Sequence, residues 1–291
     1  MTGSMDRQRR TLVLGGTGKT GRRVAEQLTA RGVPVRIGSR SGQPPFDWED
    51  RSTWAPVLKG MTSVYIAYAP DAGFPGAAET IEAFARLAVS SGARRLVLLT
   101  GRGESGARRS EQALHATGAD WTVVRSSFFA QDFSEDEAFS GGIHSGVLAF
   151  PAGAVAEPFV DAGDVAAVAV AALTEDGHTG QVYEVTGPRL LTFAAAVDEI
   201  ATATGRDIDY LPITGHQFAA GLLDAGVPEA LTTYLTALFA EVLDGRNAQL
   251  ADGIQRVLGR EPRDFADYVR ETADAGLWSG AAAPPTITSA G

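Results

Sequence analysis

The 291-residue chain contains no cysteine. That excludes disulfides, thiolate zinc sites, iron–sulfur clusters and cysteine nucleophiles. Long hydrophobic runs are missing too. Thr11-Leu12-Val13-Leu14 is four residues long, and no stretch approaches the roughly 20 apolar residues of a membrane helix. Residues 1–10 are polar and no apolar signal core follows them. Basic charge is in deficit: 25 basic residues face 35 acidic ones, a net charge of -10. No basic run in the body of the chain exceeds Arg94-Arg95 or Arg108-Arg109, a poor surface for phosphate backbones. Histidine is scarce. His115, His144, His178 and His216 show no metal-ligand spacing. These absences lead us to expect a cytoplasmic protein with no metal and with neither a membrane nor a nucleic acid as partner.

What is abundant is glycine, 34 residues in a chain that is 44% hydrophobic, an apolar content that supports a folded core. Gly32, Gly92, Gly118 and Gly205 each close a helical pattern and precede a strand-like run. Those helices read as residues 22–31, 77–91, 110–117 and 193–204, and the strands after them as 33–37, 94–99, 121–124 and 207–211. Residues 11–14, 64–67 and 181–185 are further strands. The alternation predicts an α/β fold of Rossmann type, a doubly wound parallel sheet covered on both faces. After about Pro188 the pattern turns helical, over 193–204, 216–225, 229–243, 248–258 and 264–275. The expected division is a flexible tail over 1–10 and a sheet domain over 11–187. A smaller, mainly helical substrate lobe follows over 188–278, with 128–150 contributing to it, and a disordered tail covers 279–291.

Residues 11–24 read TLVLGGTGKTGRRV, a short strand running through Gly15, Gly16, Thr17, Gly18, Lys19, Thr20 and Gly21 into a helix. The spacing Gly15-x-x-Gly18-x-x-Gly21 suits a dinucleotide: a tight turn, close backbone approach to a diphosphate, and a helix N-terminus aimed at it. A ligand-free turn is the competing account. The triphosphatase loop is excluded, because Gly18-Lys19-Thr20 has Val13 where that motif needs its first glycine. The second strand ends in Gly38-Ser39-Arg40, with no carboxylate for ribose hydroxyls. Arg40, with Ser39, therefore points to the 2′-phosphate of NADPH/NADP, unless Arg40 is only a solvated charge. Phe46-Asp47-Trp48 is expected to end a short third strand, with Asp47 and Trp48 beside the adenine or Trp48 packed in the core. Ala67, Tyr68 and Ala69 should run under the ribose, and Thr100 and Gly101 should mark the nicotinamide end.

These residues resemble the NmrA-like branch of the atypical short-chain dehydrogenases/reductases over roughly residues 11–275. The marks are the glycine loop, Ser39-Arg40, the stretch 46–50 with Trp54, and Trp121-Thr122-Val123-Val124-Arg125. Further marks are Pro158-Phe159-Val160-Asp161 with Asp164, and Gly187-Pro188 followed by Leu191-Thr192. The loop and the Phe-Asp-Trp stretch are similar to the ergot-alkaloid dehydrogenases, which reduce an iminium with NADPH. The resemblance implies an NADPH-dependent oxidoreductase of secondary metabolism. It also implies a Tyr-x-x-x-Lys pair, and here the sequence departs: matched on Glu111, those positions are Gly103 and Ala107, and residues 101–115 hold no tyrosine or lysine. A C=N acceptor, or a polarised C=C or C=O, fits that absence better than a plain ketone, whose alkoxide needs stabilising. Two other readings stay open: a non-catalytic NADP(H) sensor docking on a partner, and a hydride-independent isomerase or cyclase.

Tyr68 is the candidate substitute acid. Phe128, Phe129 and Phe133 could wall a substrate pocket, with core packing the alternative for each, and His144 lies in a glycine-rich flexible loop that could cover it, against the plainer reading of an exposed loop histidine. Arg102 and Glu104 could orient a substrate, against the ordinary outcome of solvated loop charges. Asp164 reads as a helix cap. The partner expected is a small-molecule substrate, and an oligomer is compatible with the sequence.

Overall fold

The computed structural model describes residues 9–135 and 137–279. Of the tails expected over 1–10 and 279–291, residues 1–8 and 280–291 lie outside the described residues. Along the chain the strands are β1 (Thr11–Leu14), β2 (Val35–Gly38), β3 (Ser63–Ile66), β4 (Arg95–Gly101), β5 (Asp120–Ser126), β6 (Val147–Phe150), β7 (Ala156–Glu157), β8 (Gln181–Val185), β9 (Leu191–Thr192) and β10 (Asp209–Pro212). The helices are α1 (Lys19–Ala30), α2 (Trp54–Leu58), α3 (Ala77–Ser90), α4 (Ser105–His115), α5 (Asp132–Glu135), α6 (Glu137–Ser145), α7 (Ala162–Thr174), α8 (Phe193–Thr204), α9 (Gly215–Asp224), α10 (Glu229–Val242), α11 (Gly253–Leu258) and α12 (Phe265–Asp274).

The chain forms two units. One takes the chain up to Ser126, with Ala162–Val185 and Ala251–Glu261; the other takes Ser127–Asp161, Thr186–Leu250 and the chain from Pro262. The boundary is thus not a single one near residue 187. Residues 251–261 return to the first unit because Gly253 must sit there: a Cβ on it would stand 2.2 Å from the carbonyl oxygen of Glu184 in β8.

The first unit holds a six-stranded, all-parallel sheet in the order β2-β1-β3-β4-β5-β8. Leu12, Leu14, Val64, Ile66, Leu96, Leu98 and Val123 pack with Ile81, Phe84 and Ala85 of α3. The alternating Val13, Tyr65, Val97 and Val124 are just as buried, and Tyr65 reaches Thr20 of α1 through its hydroxyl. Both faces are therefore covered, which is why these strands read as continuous apolar runs. Each such aliphatic side chain contributes about 1.5–3 kcal/mol by leaving water.

The expected third strand at residues 46–48 is absent. Pro44 and Pro45 carry no N–H for a ladder, and the backbone beyond them bonds locally. Asp47 N donates to Thr53 Oγ1 at 3.0 Å, and Trp54 Nε1 donates to Asp47 O at 2.8 Å. The segment is held as a loop, and β2 is the edge of the sheet.

In the second unit β6 pairs in parallel with β10, and β7 pairs antiparallel with β9. Its core is dominated by phenylalanine, with Phe133, Phe150, Phe159, Phe193 and Phe265 all buried. Gly205, at φ 64°, closes α8 in the left-handed conformation expected from the sequence. Among the described residues no helix is long and apolar enough to cross a membrane.

Candidate functional site

β1 ends at Leu14, and the chain turns at Gly15 with φ 66°. Gly18 N donates to Gly15 O at 2.9 Å, which closes the turn. A Cβ on Gly15 would lie 3.1 Å from Ala67 Cβ, so Gly15 and Ala67 meet where the chain leaves β1 and β3. A Cβ on Gly21 would stand 2.1 Å from Gly15 O, so Gly21 lets α1 pack against the end of β1.

Gly18 differs. Its φ of -81° is open to any residue, and a Cβ there would meet only Gly15 O, at 3.3 Å. Thr17 and Gly18 are exposed at the tip. The protein's own demand for glycine is thus milder at 18, a tight contact with one backbone oxygen, than at 21. The helix that starts there has no side-chain cap and no acidic residue in its first turn, so its amides and dipole suit an anion. The loop residues thus fit a diphosphate. Thr20 is the exception among the expected side chains. It is buried and accepts a hydrogen bond from Tyr65 OH at 2.9 Å, so only its backbone faces the loop. Burial holds that phenol well above its ordinary range, and Thr20 only partly offsets this.

The sheet order places β2 on one side of β1 and β3, β4 and β5 on the other, and ligands of such sheets lie across that reversal. Arg40 is exposed just beyond the end of β2, and Ser39 beside it accepts the Gly42 and Phe46 amides on its carbonyl. Asp47 Oδ1 accepts from Glu49 N at 3.0 Å, an Asx turn. Trp48 packs edge-on to Phe46, Trp54 and Phe84, and its ring centroid lies 4.8 Å from that of Tyr68. Two rings in contact cannot serve opposite ends of an extended dinucleotide. If Trp48 flanks the adenine, Tyr68 does so too and is not the acid at the nicotinamide.

Thr100, near the end of β4, opens a chain of buried and partly buried polar groups that sequence reasoning missed. Thr100 Oγ1 donates to Glu111 Oε1 at 2.9 Å. Arg125 grips the same carboxylate with Nε at 2.7 Å and Nη2 at 2.5 Å. Arg125 Nη1 reaches Glu184 Oε1 at 3.3 Å, and Arg102 Nε reaches Glu184 Oε2 at 3.0 Å. Burial alone would raise the Glu184 carboxyl, but hydrogen bonds and charge from Arg102 and Arg125 outweigh it and hold it low. The bond to Glu111 raises the Arg125 guanidinium further. Arg102 and Glu104 are buried rather than solvated, at 5% and 3% exposure. Glu104 Oε2 lies 2.6 Å from where a Cβ on Gly101 would be, so this carboxylate folds back over the end of β4. The signal was available: Glu111 and Ala107 fall on the core-facing stripe of α4.

In the second unit the expected pocket residues separate. Phe133 has no exposed surface and packs against Phe139, Phe159, Phe193 and Phe265, so it is core and walls no pocket. Phe128 is half-buried against Phe139, Phe150, Phe193 and Phe239. Phe129 is half-buried too, its amide donating to Asp132 Oδ2 at 3.1 Å. His144 sits on α6 rather than in a flexible loop, with Nδ1 2.7 Å from Ser140 O and Nε2 3.0 Å from Leu277 O. Helix–helix packing missed from the sequence adds Phe218 of α9 and Phe239 of α10, both half-buried, with rings 5.4 Å apart. α9 buries none of its residues. The clue was the apolar load of residues 215–242, which contain no lysine or arginine.

Asp164 lies within α7 and pairs with Arg260 at 2.5 Å, so it is a buried ion-pair partner rather than a simple cap. His115 stacks on Trp121 at 3.7 Å, and burial lowers its pKa. Among the described residues no group of three or more His, Asp or Glu could hold a metal ion.

No family model matches the chain. It is 31% identical over 286 residues to a (4-alkanoyl-5-oxo-2,5-dihydrofuran-3-yl)methyl phosphate reductase of Streptomyces griseus, covering 91% of this chain and 98% of that one. It is 29% identical over 292 residues to the agroclavine dehydrogenase of Claviceps fusiformis, with 91% and 98% covered. Among solved structures, the NADPH complex of the Escherichia coli quinone oxidoreductase QOR2 superposes with a TM-score of 0.73 at 19% identity, covering 90% of this chain and 99% of that one. The glycine loop, the parallel sheet and these full-length likenesses converge: the chain belongs to the NmrA-like branch of the atypical short-chain dehydrogenases/reductases, and the curated relatives it matches are named as a dehydrogenase and a reductase.

Proposed function

We propose that the chain is an NADPH-dependent reductase of a small molecule whose acceptor is a C=N, or a polarised C=C or C=O. The observation that carries this reading is the exposed glycine turn at an uncapped helix start with no acidic residue in its first turn, together with an exposed Arg40 just past the end of β2. Backbone amides of residues 15–21 would hold the diphosphate, Ser39 and Arg40 the 2′-phosphate, and Asp47, Trp48, Ala67, Tyr68 and Ala69 the adenosine side. Thr100 and Gly101 would lie at the nicotinamide end. NADPH, when bound, supplies a hydride, whose electron pair forms the new C–H bond while the π pair of the acceptor moves to its heteroatom. With no tyrosine or lysine over 101–115, no proton donor stands where the family's usual pair would, which favours an acceptor whose reduction is complete without one. Phe128, Phe129, Phe218 and Phe239 would meet an apolar, aromatic substrate. The names of the relatives, a clavine dehydrogenase and a phosphate-ester reductase, support reductase chemistry.

The test is NADPH consumption, followed optically, with dihydroisoquinoline and p-benzoquinone as acceptors. Turnover with either supports the reading. Tight binding of NADPH and NADP⁺ alike with no turnover on either acceptor favours a cofactor sensor and removes the reductase.

A further inference from the structure

The net charge of -10 hides a division between the two units. The first unit holds 20 basic and 17 acidic residues, a net charge of +3. The second holds five arginines, no lysine and 18 acidic residues, a net charge of -13, and the two together restore -10. All five arginines of the second unit are engaged. Arg189 faces Glu199 and Asp264, Arg246 faces Glu241 and Asp244, Arg263 faces Asp161 and Glu271, and Arg270 faces Asp267. Arg206 donates to two backbone carbonyls, Trp278 O at 2.9 Å and His144 O at 2.7 Å. Residues 207–245, which include α9 and α10 with the rings of Phe218 and Phe239, hold no lysine or arginine at all. In that stretch Asp207, Asp209, Asp224 and Glu229 are exposed, and none of them pairs with a cation among the described residues.

We infer that the second unit is a charge filter on the substrate: it draws in a cationic acceptor, passes a neutral one and repels an anionic one. The inference rests on the reading above, in which this unit meets the acceptor. A phosphate or sulfonate on the acceptor finds every guanidinium of the unit already committed, and approaches against the field of a net charge of -13. A cation approaches down that field, and the half-buried faces of Phe128, Phe218 and Phe239 can receive it. The cofactor has the opposite need. Its phosphates fall, in the same reading, to the unit with the surplus of basic residues. The filter sets this chain apart from its Streptomyces griseus relative, which is named for a phosphate ester. An acidic surface that serves only solvation is the competing account, and it predicts no dependence on the charge of the acceptor.

Three acceptors serve as probes: N-methyldihydroisoquinolinium, which is cationic, p-benzoquinone, which is neutral, and naphthoquinone sulfonate, which is anionic. Their intrinsic reactivities differ, so the readout is the change of kcat/KM for NADPH consumption with salt, at saturating NADPH. Between about 0.01 M and about 1 M sodium chloride the screening length falls about tenfold. Over that range kcat/KM for the cation should fall about tenfold or more, that for the neutral probe should change less than about twofold, and that for the anion should rise. Replacing four exposed carboxylates together, Asp207→Asn, Asp209→Asn, Asp224→Asn and Glu229→Gln, should flatten the first and last of these slopes and leave the NADPH dissociation constant within about twofold. Flat slopes for both charged probes in the wild-type protein overturn the inference, whether or not the fourfold variant folds. So does a cation that is not turned over while p-benzoquinone or the sulfonate is. Each of those results leaves the reductase reading standing, whereas turnover of none of the three removes both.

Discussion

A Cβ on Gly21 would stand 2.1 Å from the carbonyl oxygen of Gly15, whereas one on Gly18 would stand 3.3 Å from that same oxygen. Packing thus demands glycine far more strongly at 21 than at 18, where ligand approach is the need we propose. Gly21→Ala should cost about 1–3 kcal/mol through overpacking and lower the Tm by several degrees. Gly18→Val should leave the Tm within about two degrees and weaken NADPH binding more than about tenfold. Thermal melts and a fluorescence titration of NADPH separate the two. Normal NADPH affinity in Gly18→Val would refute the loop assignment.

Arg40 follows β2 at an exposed position with no acidic residue beside it in sequence. Arg40→Ala should raise the NADPH dissociation constant about tenfold or more, the loss of a charge-assisted pair, and change NADH affinity less than about twofold. Its effect should shrink as salt is raised. An unchanged NADPH-to-NADH ratio sinks the 2′-phosphate role.

Arg189 clamps two carboxylates, Glu199 at 2.7 and 2.8 Å and Asp264 at 2.8 and 2.9 Å. The hydrogen bond from Arg189 holds the Asp264 carboxyl below its ordinary 3.8, although burial works against it. The folded value lies below the unfolded one. Stabilisation from the pair is thus complete above 3.8 and is lost as pH falls through the lower folded value. Urea melts of wild type and Arg189→Met should differ most near neutrality and converge in acid. A gap that stays constant down to pH about 2 rules out this linkage.

Phe133 and Phe239 look alike in sequence and differ in burial. Phe133→Ala empties a fully buried site and should cost about 3–5 kcal/mol. Phe239→Ala, half-exposed on α10, should cost clearly less and raise the KM for an aromatic acceptor several-fold. Equal destabilisation with unchanged KM would place Phe239 in the core and outside substrate binding.

Much of the first unit was legible because its signals are local. Strands 11–14 and 181–185 and the glycine loop depend on residues adjacent in sequence, and the structure keeps β1 and β8 with those bounds. The expected strand at 46–48 failed because Thr53 and Trp54 capture Asp47 from several residues away, which strand propensity does not register. The network from Thr100 to Arg102 stayed hidden for a similar reason. Its members are ordinary charged residues far apart in sequence, and only the parallel register, Thr100 beside Arg125 and Arg125 beside Glu184, brings them together. Trp48 and Tyr68 were each legible, but their contact was not, and the contact ties Tyr68 to whichever end of a cofactor Trp48 would serve.

The chain changes unit after Ser126, Asp161, Val185, Leu250 and Glu261. Neither unit is a continuous stretch of gene. A fragment ending near residue 187 would lack α11, whose Gly253 seats against Glu184, the carboxylate shared by Arg102 and Arg125. The second unit therefore cannot be exchanged as one cassette at the 3′ end of the coding sequence. A chimera that exchanges the second unit has to replace residues 127–161, 186–250 and the chain from 262 as three separate pieces and leave 251–261 in place.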